Sequence, residues 1–363
     1  MDDQTRLELI TRAPVDEFLT KEELKTAIET GVKLKQYIGF EISGRIHLGT
    51  GLSIMKMADL QRAGVETRVF LADYHTWINQ KLGGDLEFIQ KAARDYFGRL
   101  ACKMVEVAGG KGDKVEQVLA SEIYNQDYWA TVVRVAKATT LARTLRSVTI
   151  MGREEEKGMP TAWALYPMMQ VADIYFQGVN IAHSGMDQRK IHVVAREAGE
   201  AVAGYKPMAL HCHMLLGLHK PSVWPVPKDK EGKWTMFKMS KSIKGSAVYV
   251  DDSEEEIRKK VTGAFCPEKE TGYNPVLDWV RHLVFSPMFG KDQVFAICRP
   301  AKFGGDAEYR RYEDLEKDFS GGRLHPMDLK TALADRLVEL LAPTRQAVKG
   351  LKIMEEIADR TSR

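Results

Sequence analysis

Two short segments carry the residue types needed to bind phosphate. The first is His47, Leu48 and Gly49, between a short apolar strand predicted at 37–40 and a helix predicted at about 52–63. In a parallel sheet this place lies beyond the carboxyl end of a strand, and the following helix presents free N–H groups to a ligand. Histidine can donate to phosphate there, and Gly49 permits close approach to the backbone. Because His-x-Gly is common by chance, a loop histidine without a role is the alternative.

The second segment is Lys238-Met-Ser-Lys-Ser242, inside a lysine-rich stretch from 220 to 244. This stretch holds seven lysines, opposed only by Asp229 and Glu231. Two ammonium groups three residues apart can bind a polyphosphate, and the serine hydroxyls add donors. A lysine cluster alone is typical of a solvated surface loop. The full string, with a chance occurrence on the order of one in several thousand, favours a nucleotide-binding loop.

A third group of polar residues lies in an apolar helical segment from 163 to 176. Tyr166, Gln170 and Asp173 fall at i, i+4 and i+7, which places them on one face of the helix. A carboxylate and an amide on so apolar a face need hydrogen-bond partners, and a ligand is one source of them. The alternative is a core tyrosine beside two solvated residues. His75 follows a strand predicted at 67–72, and a pocket wall and a hydrogen-bonded core fit it equally.

The elements around these segments predict an α/β fold. Strands are predicted at 37–40, 67–72, 114–120, 178–182 and 209–214, with helices between them, which is typical of a parallel sheet covered by helices. An earlier helix is capped by Thr20 and Glu23. Residues 251–363 are predicted to be all-helical, beginning at the cap of Ser253 and Glu256.

Composition agrees with a large globular protein. The chain has 363 residues, 44% hydrophobic and 28% charged, which predicts two domains and excludes disordered and fibrous classes. It shows no transmembrane run and no signal peptide. Its four cysteines are far apart, so we expect neither a zinc site nor disulfides, and a cytoplasmic location. A net charge of +3 does not by itself indicate nucleic-acid binding.

Several strings together resemble a class I aminoacyl-tRNA synthetase, specifically tyrosyl-tRNA synthetase of the archaeal and eukaryotic type. The resemblance runs from about residue 15 to about 347. It rests on the lysine motif and on Tyr37-Ile-Gly-Phe-Glu-Ile-Ser-Gly-Arg-Ile-His-Leu-Gly49, Tyr166-Pro-Met-Met-Gln-Val-Ala-Asp173, Gly185-Met-Asp-Gln-Arg-Lys-Ile-His192, Lys302-Phe-Gly-Gly-Asp306 and His325-Pro-Met-Asp328.

The resemblance implies a Rossmann-type catalytic domain at 1–225 with a helical insertion at about 103–178. A lysine-rich catalytic loop and linker at 226–250 and an anticodon-binding domain at 251–363 complete the chain. It also implies that the insertion forms a homodimer. The implied activity is formation of tyrosyl-adenylate and pyrophosphate from tyrosine and ATP, followed by transfer of tyrosine to the 3′ end of tRNA(Tyr). Magnesium is expected on the ATP phosphates, with no metal ligands supplied by the protein.

The resemblance also assigns roles to individual residues. His47, Lys238 and Lys241 are the implied catalytic residues. ATP would be bound by Gly39, His47, Gly49, Thr50, Lys238, Met239, Ser240, Lys241 and Ser242. Tyrosine would be bound by Tyr37, His75, Tyr166, Gln170, Asp173 and Gln188, with Asp173 and Tyr37 at the phenol.

Contacts with tRNA are implied at two places. Phe303, His325 and Asp328 match residues that stack on and hydrogen-bond the first anticodon base, a guanine. Ordinary helix starts are the alternative, because Pro326 suits the first helical position. The candidates for the acceptor stem are Arg143, Arg146 and Arg189, although any one such arginine is more often a surface charge than a specific contact.

The chain departs from the family pattern at two positions. Thr50 stands where a second histidine is usual, so we expect altered nucleotide contacts with activity retained. Ile42 stands where proline is usual, which predicts a softer loop. Two alternatives remain open: a tryptophanyl-tRNA synthetase, with the same fold and motifs, and a non-catalytic RNA-binding relative.

Overall fold

The computed structural model describes residues 1–152, 158–226, 239, 245–289 and 293–361. Up to the last strand of the main sheet, the helices and strands are α1 (Asp3–Thr11), β1 (Val15–Leu19), α2 (Lys21–Glu29), β2 (Lys35–Phe40), α3 (Leu48–Met55), α4 (Met57–Arg62), β3 (Glu66–Leu71), α5 (Asp73–Ile78), α6 (Leu86–Ala92), α7 (Arg99–Val107), β4 (Val115–Leu119), α8 (Ala120–Ile123), α9 (Gln126–Ala138), α10 (Leu141–Ser147), α11 (Ala162–Phe176), β5 (Ile181–Gly185), α12 (Arg189–Ala203) and β6 (Met208–Cys212). The remainder comprises α13 (Glu254–Thr262), α14 (Pro275–Trp279), β7 (Phe295–Ile297), β8 (Ala307–Tyr309), α15 (Tyr312–Ser320), α16 (Pro326–Leu340), α17 (Ala342–Val348) and α18 (Ile353–Thr361).

The main sheet confirms the α/β class and has the strand order β1-β6-β5-β2-β3-β4. Neighbouring strands from β2 to β6 are parallel, whereas β1 pairs antiparallel with β6. The sheet is therefore mixed, with one edge strand that the sequence did not predict. Chain order reverses between β2 and β5, and the crevice at such a point is where ligands bind in open α/β sheets.

Local chemistry explains where the elements near this crevice begin. His47 is the N-cap of α3, since its Nδ1 accepts from Thr50 N at 3.1 Å, so the helix starts before the predicted 52. Strand β5 begins at Ile181 rather than 178, because Gly178 has a φ of +61° and leads out of α11. The predicted cap of α2 forms, with Thr20 accepting from Glu23 N at 3.2 Å.

The C-terminal region is helical, as predicted, with one addition. The short antiparallel pair of β7 and β8 makes it not strictly all-helical. Ser253 and Glu256 form the expected reciprocal cap of α13. Leu329, Leu333 and Leu337 of α16 are buried in a hydrophobic cluster that also contains Ile38 and Val69 of the sheet. One apolar core thus continues from the sheet into the C-terminal helices. The domain boundaries predicted at residues 225 and 251 stay a proposal.

The helices of the described ranges include none with the length and apolar character required to cross a membrane.

Candidate active site

A cavity of about 1210 Å³ lies at the carboxyl ends of the parallel strands. Its wall includes residues that follow β2, β3, β5 and β6, as expected for the switch point of the sheet. Eleven predicted site residues line it: Tyr37, Gly39, His47, Gly49, Thr50, His75, Tyr166, Gln170, Asp173, Gln188 and Met239. The predicted Lys238, Ser240, Lys241 and Ser242 lie outside the described residues.

Asp173 is the buried carboxyl group of this cavity. It is 1% exposed on α11 and accepts a hydrogen bond from the Tyr124 hydroxyl at 2.9 Å. Burial raises the pKa of Asp173 well above its usual range, and the Tyr124 hydrogen bond opposes that shift only in part. Tyr124 was missed in the sequence. It lies beyond the carboxyl end of β4, and this position after a strand was the one feature of the sequence that could have indicated a site residue.

A second carboxyl group, that of Glu41, also lines the cavity. Its Oε1 accepts from the Tyr166 hydroxyl at 2.8 Å and from Asn79 Nδ2 at 2.8 Å. Glu41 lies in the loop after β2, within the string from Tyr37 to Gly49 that carried the resemblance. Neither its residue type nor its spacing in the sequence indicated a role for it. The amide of Gln170 donates to Gln188 Oε1 at 3.2 Å. Two of the predicted tyrosine-binding residues, Gln170 and Gln188, are therefore neighbours in the structure.

Two buried polar atoms of residues that line the cavity lack hydrogen bonds within the described part of the chain. His75 Nε2 and Gln170 Oε1 are buried with no hydrogen-bond partner among the described residues. His75 Nε2 lies 3.6 Å from Asp173 Oδ2, and burial lowers the pKa of His75 to about 3, so its ring is neutral. Buried polar atoms are nearly always satisfied in folded proteins. A polar ligand in the cavity would satisfy both atoms.

His47 is oriented for donation at the other end of the cavity. Because Nδ1 accepts from Thr50 N, the neutral ring carries its proton on Nε2, which lies 3.3 Å from Thr50 Oγ1. A Cβ added to Gly49 would be 3.1 Å from His47 Nδ1, a tight approach that favours glycine there. His47 and Thr50 together thus present an N–H and a hydroxyl.

The loop that carries His47 is fixed on both sides. Ile42 N donates to Thr76 Oγ1 at 2.8 Å, and Arg45 bonds the carboxylates of Asp251 and Asp252. Proline at position 42 would have no N–H to donate. The isoleucine therefore adds a tether to α5 at the point where we expected a softer loop.

Met239, at the centre of the lysine motif, is 4% exposed. Its backbone N donates to Leu215 O at 2.9 Å, in the segment that follows β6. A Cβ on Gly49 would lie 3.8 Å from Met239 Cβ. The described part of the lysine motif therefore adjoins the loop of His47.

Comparison with known proteins gives the family. The model described as tRNA synthetases class I (W and Y) matches residues 29–342. The chain belongs to this family. A tyrosine–tRNA ligase of Thermococcus kodakarensis is 52% identical over 98% of this chain and 99% of that protein.

Solved structures of class I tRNA synthetases agree. Tyrosyl-tRNA synthetase of Pyrococcus horikoshii complexed with L-tyrosine superposes with a TM-score of 0.95, at 49% identity over 99% of this chain and 100% of that one. A tryptophanyl-tRNA synthetase of Plasmodium falciparum gives 0.68 at 18% identity, covering 100% of this chain and 91% of that one. The latter likeness shows the fold alone.

Two of the three predicted anticodon residues, His325 and Asp328, lie at the start of α16. His325 caps the helix, accepting from Met327 N at 3.1 Å, and Asp328 lies in its first turn. Arg299 donates to Gly305 O and Arg323 O, which joins the segment after Phe303 to the segment before His325. Phe303 is 60% exposed. The geometry suits base stacking, and it equally satisfies an ordinary helix start.

The three acceptor-stem candidates differ in their partners. Arg143 pairs with Glu197 at 2.8 Å and Arg189 with Glu17 at 2.8 Å, so RNA would have to compete with carboxylates at both. Arg146 is exposed on α10. These three assignments stay predictions.

Proposed function

We propose that the chain is a tyrosine–tRNA ligase that uses ATP. The observation that carries this proposal is Asp173, a buried carboxyl group beside Tyr37 and Tyr124 in a cavity large enough for an amino acid and a nucleotide. A phenol hydroxyl can donate to this group. The larger indole of tryptophan would need more room at the same place. The relatives named as tyrosine–tRNA ligases support tyrosine over tryptophan.

The tyrosine end of the site would work by hydrogen bonding. Asp173 and Tyr37 would bind the phenol, and Gln170, Gln188 and Tyr166 would bind the ammonium group. The unsatisfied Gln170 Oε1 supports this, because it is an acceptor and the ammonium group supplies donors. Phenylalanine would fill the same space but would not supply Asp173 with the donor that the phenol of tyrosine offers in addition to Tyr124.

Adenylate formation requires little proton transfer. The carboxylate of tyrosine is already ionised at neutral pH, so it attacks the α-phosphate of ATP without a general base. Pyrophosphate leaves with added negative charge. His47 Nε2–H and the ammonium groups of Lys238 and Lys241 would stabilise that charge, with ATP entering as its magnesium complex. The tyrosyl group is then transferred to the 3′ terminal ribose of tRNA.

The proposed partners are tRNA(Tyr) and a second copy of the chain. Large apolar side chains are exposed on three consecutive helices of the 103–178 region: Trp129 and Val133 on α9, Leu141 on α10 and Leu165 on α11. Exposed apolar surface of this kind favours an interface. We also propose a cytoplasmic location, which agrees with four cysteines that are all free.

Amino-acid-dependent exchange of pyrophosphate into ATP tests the proposal. We expect exchange with tyrosine and little with tryptophan or phenylalanine. Exchange driven by tryptophan would replace the proposal with the tryptophanyl alternative. If none of the three amino acids supports exchange while tRNA still binds, the chain is the non-catalytic RNA-binding relative.

A further inference from the structure

A buried histidine beside the cavity joins two distant parts of the chain. His213, the first residue after β6, has its Nδ1 3.1 Å from Asp16 Oδ2 and its Nε2 2.8 Å from Asp278 Oδ1. Both nitrogens face carboxylates, so both carry protons. Burial acts to lower the pKa of His213, but the hydrogen bonds to Asp16 and Asp278 outweigh it and raise the pKa to about 10. The ring is therefore a buried cation between β1 and α14.

The neighbouring His282 is neutral. Its ring stacks on His213 with centroids 3.9 Å apart and planes at 11°. Burial and then repulsion by His213 lower the pKa of His282 to about 4. The donor atoms of His213, His282 and Asp278 lie within 4.8 Å of one another, a spacing that a metal ion could use. Parallel stacked rings, however, do not direct their in-plane lone pairs at one point. This geometry favours a proton rather than a metal ion.

Asp278 also fixes the other end of the segment 213–216. Its second oxygen accepts from Leu216 N at 2.9 Å, and the adjacent Trp279 donates from Nε1 to Leu216 O at 2.8 Å. Within this segment, Leu215 O accepts from Met239 N at 2.9 Å. Helix α14 thus fixes the backbone segment to which Met239, the described residue of the lysine motif, is hydrogen-bonded.

We propose that Asp278 is a positioning residue for adenylate formation. Through His213 and Leu216 it fixes the segment that anchors Met239, which lies between Lys238 and Lys241 in the sequence. Asp278 is not among the residues that line the cavity, whereas His213, Leu215 and Met239 are. This inference rests on the proposed function, because it assigns the lysines to pyrophosphate.

The kinetic test compares Asp278→Asn with Asp278→Glu. The amide offers one acceptor oxygen instead of two and no charge, so either His213 or Leu216 loses its partner. We expect Asp278→Asn to slow single-turnover adenylate formation at saturating ATP by about tenfold or more, with tyrosine affinity within about twofold of the parent. Asp278→Glu keeps the carboxylate and should recover most of the rate.

His192→Gln is the matched control. His192 is 1% exposed and bonds His211 of β6 at 3.0 Å, but among the described residues it makes no hydrogen bond to segment 213–216. A rate loss in this variant equal to that of Asp278→Asn would mean that general destabilisation explains both. If Asp278→Asn does not fold, Trp279→Phe replaces it. This change removes the N–H donated to Leu216 together with part of a fully buried ring system, and a smaller rate loss is expected.

A second measurement does not depend on activity. Trypsin cleaves after the lysines of the 220–244 stretch other than Lys220, which precedes Pro221. We expect faster cleavage there in Asp278→Asn than in the parent or in His192→Gln. An Asp278→Asn enzyme with the parental rate and cleavage pattern would overturn the inference, even if it melts at a lower temperature. If the parent itself shows no tyrosine-dependent exchange, the proposed function fails, and the cleavage comparison still decides whether Asp278 anchors the motif.

Discussion

The two ends of the cavity differ in burial, and this difference sets what each residue can do. Asp173 and His75 are buried, whereas His47, Gly49 and Thr50 are partly exposed. A polar group in the buried end loses most when its partner is missing, because water is not there to replace it. Selectivity for the amino acid therefore belongs to the buried end, and charge stabilisation to the exposed end.

Asp173→Ala should weaken tyrosine binding and lose selectivity against phenylalanine. Losing one buried hydrogen-bond acceptor for the phenol corresponds to about 1–3 kcal/mol, or roughly ten- to a hundredfold in kcat/KM for tyrosine. Measure exchange with both amino acids. Tyr205→Phe is the control, since its hydroxyl donates to Val179 O and does not line the cavity. A variant that still rejects phenylalanine as the parent does would assign the phenol to another residue.

Lys238→Ala and Lys241→Ala should slow adenylate formation far more than they weaken tyrosine binding. Their charges contribute mainly as negative charge develops on pyrophosphate, so the effect belongs to the transition state. The assay is single-turnover activation at saturating ATP. Lys220→Ala, in the same stretch but outside the motif, provides the comparison. Unchanged rates for both motif variants would reduce the segment to a linker.

At the scale of elements, local pattern predicted what depends on neighbours in sequence. The i, i+4, i+7 spacing placed Tyr166, Gln170 and Asp173 on one face of α11, and all three line the cavity. Strand β1 escaped prediction because it is short and mostly half-exposed, and its pairing with β6 joins residues about 190 apart. The early start of α3 was missed because Gly49 and Gly51 disfavour helix, whereas the His47 cap and the bond from Leu48 N to Val248 O override that preference.

The site partners that were missed share one cause. Tyr124, Glu41 and His213 gain their roles through contacts with residues at least 38 positions away. No period or motif within one segment contains that information. Sequence analysis identified the site residues that belong to a local motif. The site residues that it missed could be recognised only in the folded structure, where the sheet brings the strand ends together.

The hydrogen bonds of His213 to Asp16 and Asp278 should make the free energy of unfolding depend on pH. A histidine in an unfolded chain has a pKa near 6.5, and in the folded protein the pKa of His213 is about 10. The stability that His213 contributes is therefore complete below about pH 6.5 and is lost as pH rises through about 10. The charged and titratable groups facing it are Asp16, Asp278 and His282.

Urea unfolding of the parent and His213→Gln at pH 6, 8 and 10 measures this contribution. The difference in free energy of unfolding should be largest at pH 6 and shrink towards pH 10. A difference that stays constant, or grows with pH, would show that His213 is not protonated in the folded protein.

At the scale of the whole molecule, the apolar exposure of α9 predicts assembly. Val133 is 58% exposed at the centre of that helix, and Val133→Glu should convert a dimer to a monomer by placing a charge in the interface. Light scattering coupled to size exclusion measures the mass. Val223→Glu changes a valine that is 50% exposed elsewhere and should leave the mass unchanged. A dimer that persists in Val133→Glu would place the interface on another surface.

The last prediction separates adenylate formation from the recognition of tRNA. Asp328 lies in the first turn of α16, far in sequence from the cavity and absent from its wall. If its carboxylate accepts from the first anticodon guanine, Asp328→Ala should leave adenylate formation unchanged and lower charging of tRNA by roughly ten- to a hundredfold, by analogy with base contacts worth about 1–3 kcal/mol.

A helix-terminal role for Asp328 makes the opposite prediction. A carboxylate in a first turn stabilises the helix by about 0.3–1 kcal/mol, so its loss would lower the melting temperature slightly and leave charging of every tRNA unchanged. Asp314→Ala removes a carboxylate from the same position of α15, the third residue of the helix, and calibrates that effect. Charging of a tRNA with another base at the first anticodon position should be poor for the parent and no poorer for Asp328→Ala, because the contact is specific to guanine. A variant that melts earlier but charges tRNA normally would remove Asp328 from the RNA site, and with it the main support for His325 and Phe303.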